Sequence, residues 1–114
     1  MFVTHNFSAS GPGRLAIDRT EDSGSVTLSV RGEVDLTSVP LLRQELQDAE
    51  DAASRRIVLD LAGLDFIDSS GLHLLIVAHH RAQSNGHALV LTNVPRQARR
   101  LFRLAGIDAG LVIE

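Results

Sequence analysis

At 114 residues, with 44% hydrophobic and 22% charged side chains, the chain has the size and composition of one soluble globular domain with a single core. It contains no cysteine, tryptophan or tyrosine, so disulfides and thiolate metal sites are excluded and aromatic stacking platforms are not expected. A net charge of -3 argues against a general nucleic-acid binder, and no apolar run approaches the roughly 20 residues needed to span a bilayer.

Residues 1–13 are polar, with Ser8, Ser10, Gly11, Pro12 and Gly13 close together, and read as a loose lead-in to a single domain over 14–114. Phe2, Val3 and Phe7 leave open an added edge strand. No basic segment followed by an apolar one opens the chain, so no signal peptide is expected and the expected location is the cytoplasm. Leu15-Ala16-Ile17-Asp18 is a short strand, Glu21-Asp22-Ser23-Gly24 a turn, and Val26, Leu28 and Val30 alternate with polar residues as in a half-buried strand. The two strands make a hairpin.

After Gly32-Glu33-Val34-Asp35, Thr37 or Ser38 is placed to cap a helix with Pro40 in its first turn. Val39, Leu42, Leu46, Ala49 and Ala53 form its apolar stripe, with Gln44, Glu45, Gln47, Asp48 and Glu50 facing away. Ile57 to Leu61 is a buried strand that Gly63 and Asp65 break. Asp68-Ser69-Ser70-Gly71 then opens a helix from about Ser69 to Asn85, stopped by Gly86 in a left-handed conformation. Ala88 to Leu91 is another buried strand. Thr92 or Asn93 caps a helix with Pro95 near its start, Ala98, Leu101, Phe102 and Ala105 on its apolar face and Gly106 at its end. Leu111 to Ile113 is a last short strand. Strands and helices alternate after the hairpin, which predicts an α/β fold: a mixed, mostly parallel sheet with an antiparallel N-terminal edge and flanking helices.

The chemistry concentrates at Ser69. Its hydroxyl sits where a helix presents unpaired N–H groups and a partial positive charge, which favours an anion or an attached phosphate. The alternative is that Asp68 and Ser69 serve only as caps. The turn Ile67-Asp68-Ser69-Ser70-Gly71 lacks the glycine two residues before the serine that a hydrolase nucleophile elbow requires, so a catalytic triad is not expected. Asp60 lies near a strand end, as does the phosphoacceptor of a receiver domain, but the chain has no lysine and Leu15-Ala16-Ile17-Asp18 is a poor match to the strand that carries a receiver's acidic pair, so Asp60 is read as a carboxylate with local hydrogen bonds. His73 and His80 share a helix face about 10 Å apart, too far to chelate one ion, and the histidines are read as surface or half-buried groups. No metal site, phosphate-binding glycine loop or cofactor is expected.

Two surface features remain open. Leu72, Leu75, Ile76, Ala78 and Ala82 fall on one arc of the second helix, leaving His73, Leu74, Val77, His80 and Arg81 outside it. Leu74 and Val77 either pack under a neighbouring loop or belong, with His73, to a docking patch beside Ser69. Arg96, Arg99, Arg100 and Arg103 form a basic stripe, either a solvated face or a surface for an acidic partner.

Val58-Leu59-Asp60-Leu61 followed by Phe66-Ile67-Asp68-Ser69-Ser70-Gly71-Leu72 resembles the signature of STAS domains, specifically the bacterial anti-sigma factor antagonists. Gly32-Glu33-Val34-Asp35, and Pro95, Arg100-Leu101-Phe102 and Ala105-Gly106-Ile107, resemble the family's earlier loop and late helix. The resemblance spans Leu15 to Ile113. It implies a protein that is not an enzyme. Its unphosphorylated form would bind an anti-sigma factor with serine-kinase activity and so free a sigma factor. Phosphorylation at Ser69 would switch that binding off, and a serine phosphatase would reset it. Asp35, Asp68, Ser70 and Gly71 would surround the phosphosite. The resemblance implies no nucleic-acid or membrane contact. The chain departs from many members in its longer lead-in and in stopping at Glu114. The alternatives are a STAS scaffold in a multiprotein stress-signalling assembly, or a small-ligand-binding α/β domain with a deep apolar pocket.

Overall fold

The structure, a computed structural model, describes residues 4–8, 15–52, 55–106 and 111–114. In chain order these form β1 (Thr4–Ser8), β2 (Leu15–Asp22), β3 (Ser25–Val34), α1 (Val39–Ala52), β4 (Arg56–Ile67), α2 (Ser69–Ser84), β5 (Ala88–Thr92), α3 (Arg96–Leu104) and β6 (Val112–Ile113). The six strands lie in one sheet in sequence order. β1, β2 and β3 are antiparallel neighbours, and β3 to β6 run parallel. The predicted mixed sheet with an antiparallel N-terminal edge is therefore the observed one. Parallel neighbours added in a single direction by right-handed crossovers put α1, α2 and α3 on one face. The burial pattern agrees: Leu15, Ile17, Val26, Leu28, Val30, Ile57, Leu59 and Leu61 are buried, while Asp18, Thr27, Ser29 and Asp60 on the alternate positions are only half-buried.

The β2–β3 hairpin closes on Ser23 and Gly24, both at positive φ (52° and 85°), between the paired Asp22 and Ser25. This two-residue turn matches the right-handed twist of its strands; of the expected turn Glu21–Gly24 only Ser23 and Gly24 lie in it, Glu21 and Asp22 being part of β2. Of the two readings left open for residues 1–13, the loose lead-in gives way over Thr4–Ser8 to the added edge strand, which includes Phe7 and pairs with Ala16–Thr20. An exposed edge of β2 offers unpaired backbone groups, and a short strand satisfies them whatever its composition. Phe2 and Val3 lie outside the described residues.

β4 also departs from expectation. Gly63 and Asp65 do not end it; it continues to Ile67 alongside β3, with register shifts between Ser29 and Arg31 and between Gly32 and Glu33. The role of Gly63 is close approach. A Cβ there would sit 2.6 Å from Arg31 Cγ, so its missing side chain leaves room for the stem of Arg31 on β3. The irregular register absorbs the mismatch and keeps Val34 opposite Ile67, so that β3 and β4 end together.

The helix starts differ from their predicted caps. Thr37 and Ser38 do not cap α1 alone. Asp35 Oδ1 accepts from the N–H groups of Thr37 (3.0 Å) and Ser38 (3.1 Å), while Ser38 Oγ accepts from Asp35 N–H and donates to the Glu33 carbonyl. Glu45, read as outward-facing, is buried together with Val39, Leu42, Leu46 and Ala49; Ala53 lies outside the described residues. α3 begins after Pro95 without a side-chain cap. Asn93, one expected cap, instead sits in the turn at φ 53° and donates Nδ2–H to Asp60 at 2.9 Å. On α3, Ala98 and Phe102 are fully buried and Leu101 packs against the core, but Ala105 is exposed beyond the helix end. Gly86 and Gly106 follow α2 and α3 at φ 74° and 72°, as their helix-stop signals implied.

Candidate functional site at the start of α2

β3 and β4 deliver two loops to the same end of the sheet. Asp68 N–H donates to the Val34 carbonyl at 3.1 Å, so the residues that follow, Asp35 on one strand and Asp68-Ser69 on the other, emerge side by side. Gly71 fixes how closely α2 approaches. A Cβ at Gly71 would lie 2.6 Å from Val34 Cγ1 and 2.7 Å from Ile67 Cγ1, distances that no real Cβ tolerates. The first turn of α2 therefore rests directly on the last residues of β3 and β4.

Asp68 is the cap of α2. Its Oδ1 accepts from Ser70 N–H (2.9 Å), Gly71 N–H (3.2 Å) and the Ser70 hydroxyl. The cap-only reading thus holds for Asp68 and fails for Ser69. Ser69 is the first residue of α2, is exposed, and its hydroxyl has no hydrogen-bond partner among the described residues. The two serines have divided the work: Ser70 closes the cap and Ser69 presents an unengaged hydroxyl to solvent. The Asp35 carboxyl is held below its ordinary value, chiefly by the Thr37 hydroxyl and the Ser38 N–H, so it is an anion throughout the neutral range.

The neighbouring surface is partly apolar. Leu36 (75% exposed) follows Asp35 and Val77 (38%) lies two turns along α2 from Ser69, while Phe66 (40%) is exposed on the face of β4 opposite Ile67, away from α2. His73 is exposed on the same side as Val77. Leu74 is a correction: it is 5% exposed and belongs to the core, so it is not part of a docking patch. α2 is buried on two sides, by the sheet and by α1, and its covered arc is wider than a single apolar stripe. Leu74 falls on the α1 flank beside Arg81, whose Nε donates to Glu50 of α1 at 2.8 Å. His79 is likewise buried rather than superficial, with its ring 5.6 Å from that of His80. Leu36 and Phe66 were missed in the sequence. Phe66 was findable, since period 2 puts it on the face opposite the buried Ile67.

Among the described residues no group of three or more His, Asp or Glu side chains could hold a metal ion, and no helix is long and apolar enough to cross a membrane. The strand ends and the capped helix define a class: a small mixed α/β domain whose prominent surface is a helix start with a free serine hydroxyl. The family profile described as "Mlab, STAS domain" matches residues 17–114. A candidate anti-sigma factor antagonist of Bordetella bronchiseptica, BtrV, is 34% identical over 94 residues, covering 82% of this chain and 78% of BtrV. The anti-sigma-B factor antagonist of Bacillus subtilis is 29% identical over 94 residues, covering 82% and 84%. The crystal structure of an anti-sigma factor antagonist from Mycobacterium paratuberculosis superposes with a TM-score of 0.75 at 25% identity, covering 92% of this chain and 89% of that one. The chain belongs to the STAS family, among the anti-sigma factor antagonists.

Proposed function

We propose that this protein is a phosphorylation-controlled binding switch in the cytoplasm: unphosphorylated, it captures an anti-sigma factor with serine-kinase activity and so frees a sigma factor. Transfer of a phosphoryl group from ATP to Ser69 Oγ ends the capture, and a serine phosphatase restores it. The observation that carries this reading is the free hydroxyl of Ser69 beside a cap already completed by Asp68 and Ser70. A hydroxyl engaged in capping would have to break that cap to react; this one does not. The relatives' names, anti-sigma-B factor antagonist and candidate anti-sigma factor antagonist, support the partner class.

The electrostatics make the switch work without a large conformational change. Phosphate adds about -1.5 to -2 charges at neutral pH. The helix start tolerates them because its remaining N–H groups and dipole favour an anion. A docked partner would not, since the charge appears beside Asp68 and near Asp35, within a surface that includes Leu36, His73 and Val77. In this scheme residues 14–114 act as one domain that binds rather than catalyses.

The test is phosphopeptide mapping after incubation with ATP and the anti-sigma kinases encoded by the same organism, followed by calorimetry of both forms. The expected result is modification at Ser69 alone, abolished in Ser69→Ala, with binding retained by the unphosphorylated chain and weakened at least about tenfold by phosphate. Modification at Ser70, or equal affinity of the two forms, would overturn the assignment.

A further inference from the structure

Helix α3 carries Arg96, Arg99, Arg100 and Arg103 within nine residues and no acidic residue. All four are exposed, and none has an acidic partner among the described residues. The chain's net charge of -3, with +4 in α3, leaves -7 on everything else. The cations are therefore concentrated against the overall balance. At about 100° per residue the four fall within roughly one quadrant of the helix, on the side away from the core-facing arc of Ala98, Leu101 and Phe102. The result is a ridge about 10 Å long, held from beneath by core packing and uncompensated on top.

Arg103 in the last turn suits the helix dipole, but the spacing of the four works against the helix. Arg96 with Arg100, and Arg99 with Arg103, are like charges at the spacing where neighbours on a helix repel. Leu104, 77% exposed, adds an apolar side chain at the end of the ridge. The start of α3 is also joined to the Ser69 end of the molecule: Gln97 Nε2 donates to the Ile67 carbonyl at 3.5 Å, two residues before Ser69.

We infer that the arginine ridge of α3 is a docking surface for an acidic segment of a protein partner, one that pairs carboxylates with the guanidinium groups and sets an apolar side chain against Leu104. Nucleic acid fits less well, because an extended polyphosphate would meet the -7 carried by the rest of the surface and find no tyrosine or tryptophan to stack on. An anionic membrane fits less well again, because the apolar face of α3 is committed to the core and leaves only Leu104 to insert. The inference concerns a surface distinct from the Ser69 hydroxyl and stands whether or not that hydroxyl is phosphorylated.

The experiment is an amide-shift NMR titration of the full chain with three probes at equal anionic charge: a short peptide of Asp, Glu and Leu, a short DNA duplex, and phosphatidylglycerol vesicles. The peptide is expected to bind saturably, to shift the amides of residues 96–104, and to weaken as salt rises. The Arg99→Glu/Arg103→Glu double variant should lose about tenfold or more in affinity, while Ser69→Glu should change nothing at α3. If the double variant does not fold, Arg99→Gln/Arg103→Gln carries the same comparison. Tighter binding of the duplex or the vesicles, peptide affinity unchanged in the variants, no saturable binding by any probe, or self-association of the chain through α3 would each overturn the inference.

Discussion

α2 and α3 both follow a parallel strand and both begin at the same end of the sheet, yet they are held in opposite ways. α2 has a complete side-chain cap from Asp68, a glycine at its closest contact, and seven buried residues spread over two flanks. α3 follows Pro95 with no side-chain cap, buries only Ala98 and Phe102, and spends its outer face on arginine. The difference teaches that position and chemistry are separated in this molecule. The start of α2 is over-determined, which fixes where Ser69 stands. The outside of α3 is determined by little more than two side chains, which leaves its surface free to vary.

The sharpest way to break this comparison is to place a charge on each side of α2. Leu74→Glu puts a carboxylate into the core and is expected to cost more than about 4 kcal/mol, or to unfold the chain. Val77→Glu, on the exposed side, should stay within about 0.5 kcal/mol. Urea melts of the pair decide the matter: a Leu74→Glu protein of native stability would mean that α2 is not enclosed on its α1 flank.

Gly71→Ala tests the close approach itself. With Val34 and Ile67 already within 2.7 Å of the added Cβ, α2 must move away from the strand ends, at an expected cost of about 1–3 kcal/mol. Because the shift would carry Ser69 with it, partner affinity should fall by more than the stability loss explains. An alanine variant as stable as the parent would show that the contact is not a constraint.

The smallest effect concerns the start of α1. Asp35 has its folded-state pKa depressed below 3.8 by the Thr37 hydroxyl and the Ser38 N–H. A depressed acid contributes stability that is fully present above its unfolded value and is lost as pH falls through the folded one. Acid titration should therefore loosen residues 37–39 only below pH 3.8, with no corresponding step at the uncapped start of α3. Asp35→Asn should remove that step, as read by amide exchange at Ser38 and Val39. Persistence of the step in Asp35→Asn would assign it to another carboxylate.

Much of the fold was legible because it rests on local rules. Alternation in β3, the Ser23-Gly24 turn, the left-handed stops at Gly86 and Gly106, and the opening of α2 near Ser69 each follow from a few adjacent residues. The misreadings share one cause. Gly63 resembles a strand end until the stem of Arg31 on the neighbouring strand is seen to fill the space a side chain would take. Asn93 resembles a cap until Asp60, 33 residues away, claims its amide. Leu74 resembles a surface residue until α1 is laid along α2. In each case the deciding atom belongs to a segment distant in sequence.

The sequence by itself determined the order and kind of elements, the sheet's mixed character and the segment that carries the candidate site, because backbone geometry and hydrophobic period act over a few residues. Only the tertiary structure decided that Ser70 rather than Ser69 completes the cap, that Leu74 is core while Val77 is surface, and that the ridge of α3 starts beside the strand end that precedes Ser69. The first depends on which of two adjacent hydroxyls turns back to Asp68, the others on which groups meet across the sheet and between helices. A periodic pattern says which face of an element seeks cover, but only packing says how much of it is covered.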